Sequence, residues 1–425
     1  MAEDRNILDE IKKAAGAVTD EEASQDDAAS PDDAEKPALM EYKLRCKILF
    51  AGGGEEDFAG RATVDDGALH IIPEAGARLD TTYRDIKSVT SEDYRITLEL
   101  KGGGSLVLYF LGKQYDSFVG DFTRKYNATV KKDTFMSEKA KLAARGAKYK
   151  STGELSNEGI CDVYIGDTAV IIETKNGPVY RMPFALIDKP TKSAYGFSFS
   201  LSGLENWEIF FLGKALDPTW KLFNDAYAKL LEPISNAIKE MVPGIQPLAL
   251  RRAAELFCDG RSVKKTEIEQ TDKKLWNALM KKAEEWGAGD YFSHILSQAG
   301  EGVRIGFKKP LLSSQEEYIW LIATVQNALI LEAASPEGGG KATYVFNIEG
   351  DGGALMDRLN FCLHMVEFRR EPIYMNAEQL QKPENISYAT AVEKVPQLIP
   401  LRSLFKGRVA HTENWKEGLD KLVNR

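Results

Sequence analysis

Between residues 40 and 130, apolar positions recur at every second residue in short runs, at 42–51, 58–64, 68–73, 80–83, 86–90, 95–100 and 106–110. Turn-forming residues separate them, among them Gly52-Gly53-Gly54, Asp65-Asp66-Gly67 and Gly102-Gly103-Gly104. Period-two runs bounded by glycine and aspartate predict half-buried β-strands. Ile96, Leu98 and Leu100, then Leu106, Leu108 and Phe110, share one parity and predict a hairpin with all six side chains inward. Beyond it the period lengthens. Tyr115, Phe118, Val119, Phe122 and Tyr126 follow helical spacing and predict a helix with an aromatic stripe.

The same plan returns at a fixed offset of 101 residues. Phe110-Leu111-Gly112-Lys113 reappears as Phe211-Leu212-Gly213-Lys214, and Tyr94, Asp116, Phe122 and Tyr126 meet Tyr195, Asp217, Phe223 and Tyr227. Where identity fails, apolar character persists, as at Tyr83/Phe184, Leu98/Phe199 and Leu106/Trp207. Residues 57–127 and 158–228 are therefore expected to be one fold used twice, with matched buried positions. The second copy predicts strands at 162–165, 169–174, 179–184, 197–201 and 207–211, then a helix bearing Leu216, Trp220, Phe223 and Tyr227.

Seven short antiparallel strands closed by one amphipathic helix resemble the pleckstrin-homology-like superfold, most of all its small bacterial and GRAM-type members. The resemblance covers about 41–130 and 146–231. It implies a strongly bent sheet whose open corner the helix plugs. The family's best-known activity is phosphoinositide binding through bases on the first strand and the loop after it. This chain departs from that pattern. Lys43, Arg45 and Lys47 alternate on the first strand, but Glu55, Glu56 and Asp57 follow; in the second copy Lys148 and Lys150 lead to Glu154 and Glu158. Carboxylates at that place repel phosphates, so headgroup binding there is not expected.

Residues 233–290 change character, with Pro233, Pro243 and Pro247 punctuating helical patterns at 248–258 and 271–286. Strand-like runs resume at 303–307, 318–325, 328–333 and 342–348, and a helix follows at 354–368. The 328–346 hairpin around Gly338-Gly339-Gly340 resembles the Gly102–Gly104 hairpin. Two readings of this third stay open: a divergent third copy, or an unrelated α+β domain. The expected organisation is an acidic tail with a short amphipathic helix (1–39), a first module (40–131), a basic linker helix (132–147), a second module (148–232), a helical segment (233–290), a third β/α module (291–375) and a C-terminal arm ending in a helix (376–425). The fold class is α+β, mainly β.

Charge sharpens two of these segments. Residues 1–36 carry a net −8 out of −9 for the whole chain, and 19–36 has no aromatic residue, so disorder is expected there. Residues 124–150 carry a net +7. Within them Lys131, Lys132, Lys139, Lys141, Arg145, Lys148 and Lys150 are the candidate contacts for an anion or partner. Cys46, Cys161, Cys258 and Cys362 lie about a hundred residues apart, a spacing for buried, reduced thiols rather than disulfides or zinc. The start of the chain has no basic, apolar leader, and no apolar run reaches membrane-spanning length, so a cytoplasmic protein is expected.

Catalytic and cofactor patterns are missing. His70, His294, His364 and His411 are scattered, and Gly338-Gly339-Gly340-Lys341 lacks the spacing of a phosphate loop. The leading expectation is a non-enzymatic scaffold or adaptor that binds protein partners, with no cofactor and no nucleic acid. The alternatives are peripheral membrane association through the basic linker, and an enzyme whose site assembles only in the fold.

The opposite charges of 1–36 and 124–150 are joined by a tether of roughly twenty residues, which holds one near the other at millimolar-order concentration. Weak, salt-screened association is expected. Deleting 1–36 should strengthen binding to heparin or anionic vesicles at low salt, with the difference vanishing at high salt. Equal binding by both proteins at low salt would leave the tail without this shielding role.

Overall fold

The computed structural model describes residues 39–136, 139–153, 156–175, 177–300, 302–311, 317–339 and 341–425. The expected tail helix and disordered stretch lie outside these residues, as does Glu154. The first sheet comprises β1 (Tyr42–Leu49), β2 (Glu55–Val64), β3 (Ala68–Pro73), β4 (Leu79–Thr82), β5 (Ile86–Glu92), β6 (Arg95–Leu100) and β7 (Ser105–Tyr109), in the order β4-β3-β2-β1-β7-β6-β5. β1 joins the two halves: Cys46 faces Phe58 on one side and Leu108 on the other. Helix α1 (Tyr115–Asp133) follows.

The second sheet repeats this plan. β8 (Lys141–Gly153), β9 (Asn157–Ile165), β10 (Ala169–Thr174), β11 (Val179–Pro183), β12 (Ile187–Lys192), β13 (Gly196–Leu201) and β14 (Glu205–Phe210) run in the order β11-β10-β9-β8-β14-β13-β12, and helix α2 (Leu216–Met241) follows. Strand for strand the two orders correspond, as the repeat predicts. Both sheets are curled and antiparallel. The helix packs its stripe against the sheet in both: Tyr83 meets Phe122 edge-on at 5.9 Å and Tyr126 at 6.3 Å, while Phe184 meets Phe223 at 5.3 Å and Tyr227 at 6.1 Å. Edge-to-face rings add to the large area each aromatic buries.

The expected linker helix over 132–147 is not formed. α1 ends at Asp133 and β8 begins at Lys141. Along β8, Ala147, Tyr149 and Ser151 point inward while Lys148 and Lys150 point outward, a period of two. Irregular register between Leu142 and Ala144, and again between Ala144 and Ala147, interrupts that alternation. The interruptions hide the strand from a reading of spacing alone.

Pro233 does not end a helix either; it lies inside α2, which continues to Met241. Ile234, Ala237 and Ile238, just beyond it, are buried in a second core, and that burial offsets the hydrogen bond the proline removes.

The third sheet follows a different plan. It contains β15 (Ser262–Lys264), β16 (Val303–Lys308), β17 (Tyr318–Val325), β18 (Ala328–Ser335), β19 (Gly338–Gly339), β20 (Ala342–Asn347) and β21 (Phe405–Ala410), ordered β15-β16-β17-β18-β20-β21 with β19 paired to β18. It is therefore not a third copy of the first topology. Its strands are apolar on both faces because both are covered. Trp320, Ile322, Leu329 and Leu331 join the core of the second copy and of helix Gly352–Met365; Ile319, Leu321, Ala323 and Ile330 join the helices spanning 247–298.

The first copy has a core of its own, built from residues 42–130. Polar contacts tie it to the rest. Lys131 pairs with Glu173, Lys101 with Glu393 at 2.6 Å, and Lys394 donates to the Lys87 carbonyl at 2.6 Å and to the Tyr126 hydroxyl at 3.1 Å.

Arg84 forms a two-pronged pair with Asp133, whose side chain is 1% exposed, and Ser387 donates to the same carboxylate at 3.4 Å. Removing the guanidinium leaves a buried carboxylate undercompensated. Arg84→Ala should cost about 2 kcal/mol in urea denaturation. Arg251→Ala, which breaks an exposed pair with Glu255, should cost under about 0.5 kcal/mol.

Candidate functional site

The end of the seventh strand is where each copy turns its chain most sharply. Phe110 and Phe211 both sit at φ +58°, and Gly112 and Gly213 both at φ +53°. The reversal lets Leu111 and Leu212 enter the core while the preceding phenylalanine swings outward. Phe110 is 76% exposed and Phe211 62%. The alternation had placed Phe110 inward with Leu106 and Leu108. The strand ends at Tyr109, and the left-handed residue after it inverts the parity. A left-handed backbone costs a bulky L-residue about 1 kcal/mol or more, so both copies hold an aromatic where glycine fits best.

Each copy exposes a second aromatic beside this end of the sheet. Tyr94 is 75% exposed and Tyr195 is 73%. The ladder ends at Ile96–Leu108 in the first copy and at Gly196–Phe210 in the second, where the Leu212 amide also donates to the Tyr195 carbonyl at 3.4 Å; the tyrosine and the phenylalanine lie just beyond that end. Tyr94 closes a tight hairpin with Asp93, at φ +58° and +50°, and its ring meets Tyr115 at 5.2 Å. In the second copy the strands approach so closely that a Cβ on Gly196 would fall 1.9 Å from the Ile209 carbonyl oxygen. Each copy thus exposes a tyrosine and a phenylalanine at the corresponding corner of its sheet. Identity at the offset marks these residues as repeated, and the alternation assigns only Phe110 to the buried face.

The candidate cations divide between roles. Lys131 is engaged with Glu173 and lies 5.9 Å over the Tyr164 ring, so it fastens α1 to the second sheet. Lys132 is exposed beside a shallow depression shared with Asp66, Arg84 and Asp85. Lys139, Lys141, Arg145, Lys148 and Lys150 are exposed along β8 and the segment leading to it. The structure therefore places five of the seven on one strand and its lead-in.

Register matches Lys148 to Arg45, since they pair with Phe210 and Tyr109, and Lys150 to Lys47. The first copy neutralises its cations. Arg45 pairs with Asp57 at 3.0 Å and donates to the Tyr109 hydroxyl at 3.3 Å, and Lys47 pairs with Glu55 at 2.6 Å. Hydrogen bonds from Tyr109 and Arg45 hold the Asp57 carboxyl below its usual range, against the opposing effect of desolvation. In the second copy Phe210 replaces Tyr109 and Ser156 replaces Glu55. Lys148 instead lies 5.2 Å over the Phe211 ring, and neither it nor Lys150 makes an ion pair with a described residue.

A cavity of about 270 Å³ lies where α1, β11, β14 and the C-terminal arm meet. Val130, Met182, Trp207 and Met365 are among its apolar lining, and Glu205 is buried in its wall. The Glu205 carboxylate accepts from Trp207 Nε1 at 3.0 Å and Gln397 Nε2 at 2.7 Å, tying the arm to the second sheet. The four cysteines are free and buried, and burial pushes the thiols of Cys46, Cys161 and Cys258 up to about 12, which makes them poor nucleophiles. No helix among the described residues is long and apolar enough to cross a membrane.

Because the exposed rings contribute little burial and the backbone there suits glycine, Phe110→Gly and Phe211→Gly should each leave stability within about 0.5 kcal/mol of wild type. Chemical denaturation checks this, and a loss of several kcal/mol would make the rings structural.

No family model matches the sequence, and no curated protein matches it. Among solved structures, a chain from the "Structure of the Spt16D Pob3N heterodimer" matches 41% of this chain and 96% of its own length. Sequence identity is 13% and the TM-score 0.17, a similarity too low to carry an argument about fold or partner.

Proposed function

We propose that the chain is a non-enzymatic cytoplasmic scaffold of tandem pleckstrin-homology-like modules that binds protein partners through its aromatic corners. The observation that carries this reading is the doubled exposure. Two copies sharing little surface sequence both expose a tyrosine and a phenylalanine at the corresponding corner, the phenylalanine on a disfavoured backbone. Folding gains little from such rings, whereas exposed aromatics among polar side chains have the composition of an interface anchor. The buried titratable groups support a structural role, since Asp259 pairs with Lys308 and Glu332 with His411 between packed elements. A second reading, weak attachment to anionic membranes, draws on the exposed cations of β8. Glu158 and Glu208, which flank Lys150 across the ladder, count against dense phosphate at that end.

The test is chemical crosslinking of the tagged full-length chain in its native cell, quantified against a variant carrying Tyr94→Ala, Phe110→Ala, Tyr195→Ala and Phe211→Ala. At least one protein should be enriched by the wild type and fall about tenfold with the variant. Partners that are retained undiminished would sink the reading. Co-sedimentation of the wild type with anionic vesicles at moderate salt would favour the second.

A further inference from the structure

The two corners share their aromatics and differ in charge. In the first, the tight turn contributes Glu92, Asp93 and Arg95, a net −1; in the second, residues 192–196 contribute Lys192 alone, a net +1. Beyond the phenylalanine both carry one lysine and one aspartate, Lys113 and Asp116 against Lys214 and Asp217, which cancel. Arg45 is neutralised by Asp57, while Lys148 has a ring and, among the described residues, no carboxylate against it. The first corner is thus about −1 and the second about +2. Lys192 reaches Asp217, so among the described residues the corner's cations without an ion pair are Lys148 and Lys214, with Lys150 next to Lys148 but set between Glu158 and Glu208.

We infer that the corner formed by Tyr195, Phe211 and Lys148 docks an acidic segment of a partner protein that carries an apolar anchor residue. This rests on the aromatic corners being the binding surface, and adds what the second one selects. Lys148 already lies over the Phe211 ring, so part of the cost of ordering its flexible stem is met before a partner arrives. Carboxylates on the incoming segment pair with the open ammonium groups, and its apolar residue covers the two rings. Membranes and nucleic acids fit less well. Stable lipid or backbone binding draws on about four to eight clustered cations, and here Lys148, Lys150 and Lys214 stand open, with Glu158 and Glu208 opposite Lys150. The first corner, with Glu92 and Asp93 in its turn, repels the same segment.

The experiment uses the full-length chain and a fluorescein-labelled synthetic peptide of Glu and Asp residues around a central Leu, with a matched Gln/Asn peptide and phosphatidylserine vesicles as the other probes. Anisotropy should show the acidic peptide binding more tightly than the neutral one, and less tightly as salt rises. Phe211→Ala and Lys148→Ala should each weaken it about three- to tenfold. Ala194→Asp, which adds an acid of the first turn and keeps the hydrogen bonds that the Ser193 hydroxyl accepts from Tyr195 and Gly196, should weaken it by a similar factor. Phe110→Ala should leave it unchanged, and circular dichroism should show every variant folded. Equal binding of both peptides, lost with Phe211→Ala but not with Lys148→Ala, would overturn the acidic preference and leave the aromatic-corner reading standing. Absence of binding to the acidic peptide also overturns the inference. Binding indifferent to Phe211→Ala would remove the corner from both readings, and tighter binding to the vesicles than to either peptide would assign its cations to membranes.

Discussion

A seven-stranded sheet curled on itself has a concave face it cannot bury alone, and the helix that follows must fill it. In both copies one aromatic before the fifth strand, Tyr83 or Phe184, meets the helix stripe edge-on at two successive turns. Everything else is placed by that contact. It sets where the helix axis runs, so the chain leaving the seventh strand must bend within a residue or two. That bend forces the left-handed backbone at Phe110 and Phe211 and turns their rings outward. The exposed corner is thus a geometric by-product of closing the core, available in each copy to be used or lost.

The sheets were largely legible because a surface sheet writes its buried face in period two, and because one offset matched the copies. The failures have local causes. The 141–153 strand was concealed by two breaks in register, which mimic a helical run of Leu142 and Ala143 among cations. Phe110 continued the parity of Leu106 and Leu108 in sequence while the backbone had already inverted. Pro233 looked like a stop, yet the burial of Ile234 and Ile238 carries the helix through it. In the third sheet, Trp320 and Leu321 face opposite layers, both apolar. No alternation remains there to reveal strand order, and a local likeness of hairpins could not supply it.

Of the candidate site, the exposed cations of β8 were readable and the aromatic corner was not. Repetition of a residue type reports that a position is constrained without saying whether by packing or by solvent-side use. Exposure separates the two, and then the duplicate becomes an internal comparison. Leu98 and Phe199 differ in identity but share burial, so packing tolerates the change. Tyr94 and Tyr195 share identity without burial, which packing does not require.

The two copies are also joined to the remainder in different ways. α2 runs unbroken from the second sheet into the helical layer, and the core of that sheet is continuous with one face of the third. The second copy is fused: no cut at 232 would leave either side with its apolar surface covered. The first copy closes its own core and meets the rest through mixed contacts: the polar ones of Lys131, Lys101 and Lys394, and the ring of Phe135 against Tyr388 at 5.7 Å. The first copy is in that sense separable and the second is not: a cut just after α1 would leave the first core closed, whereas none within the second copy or its helix leaves a closed core on either side.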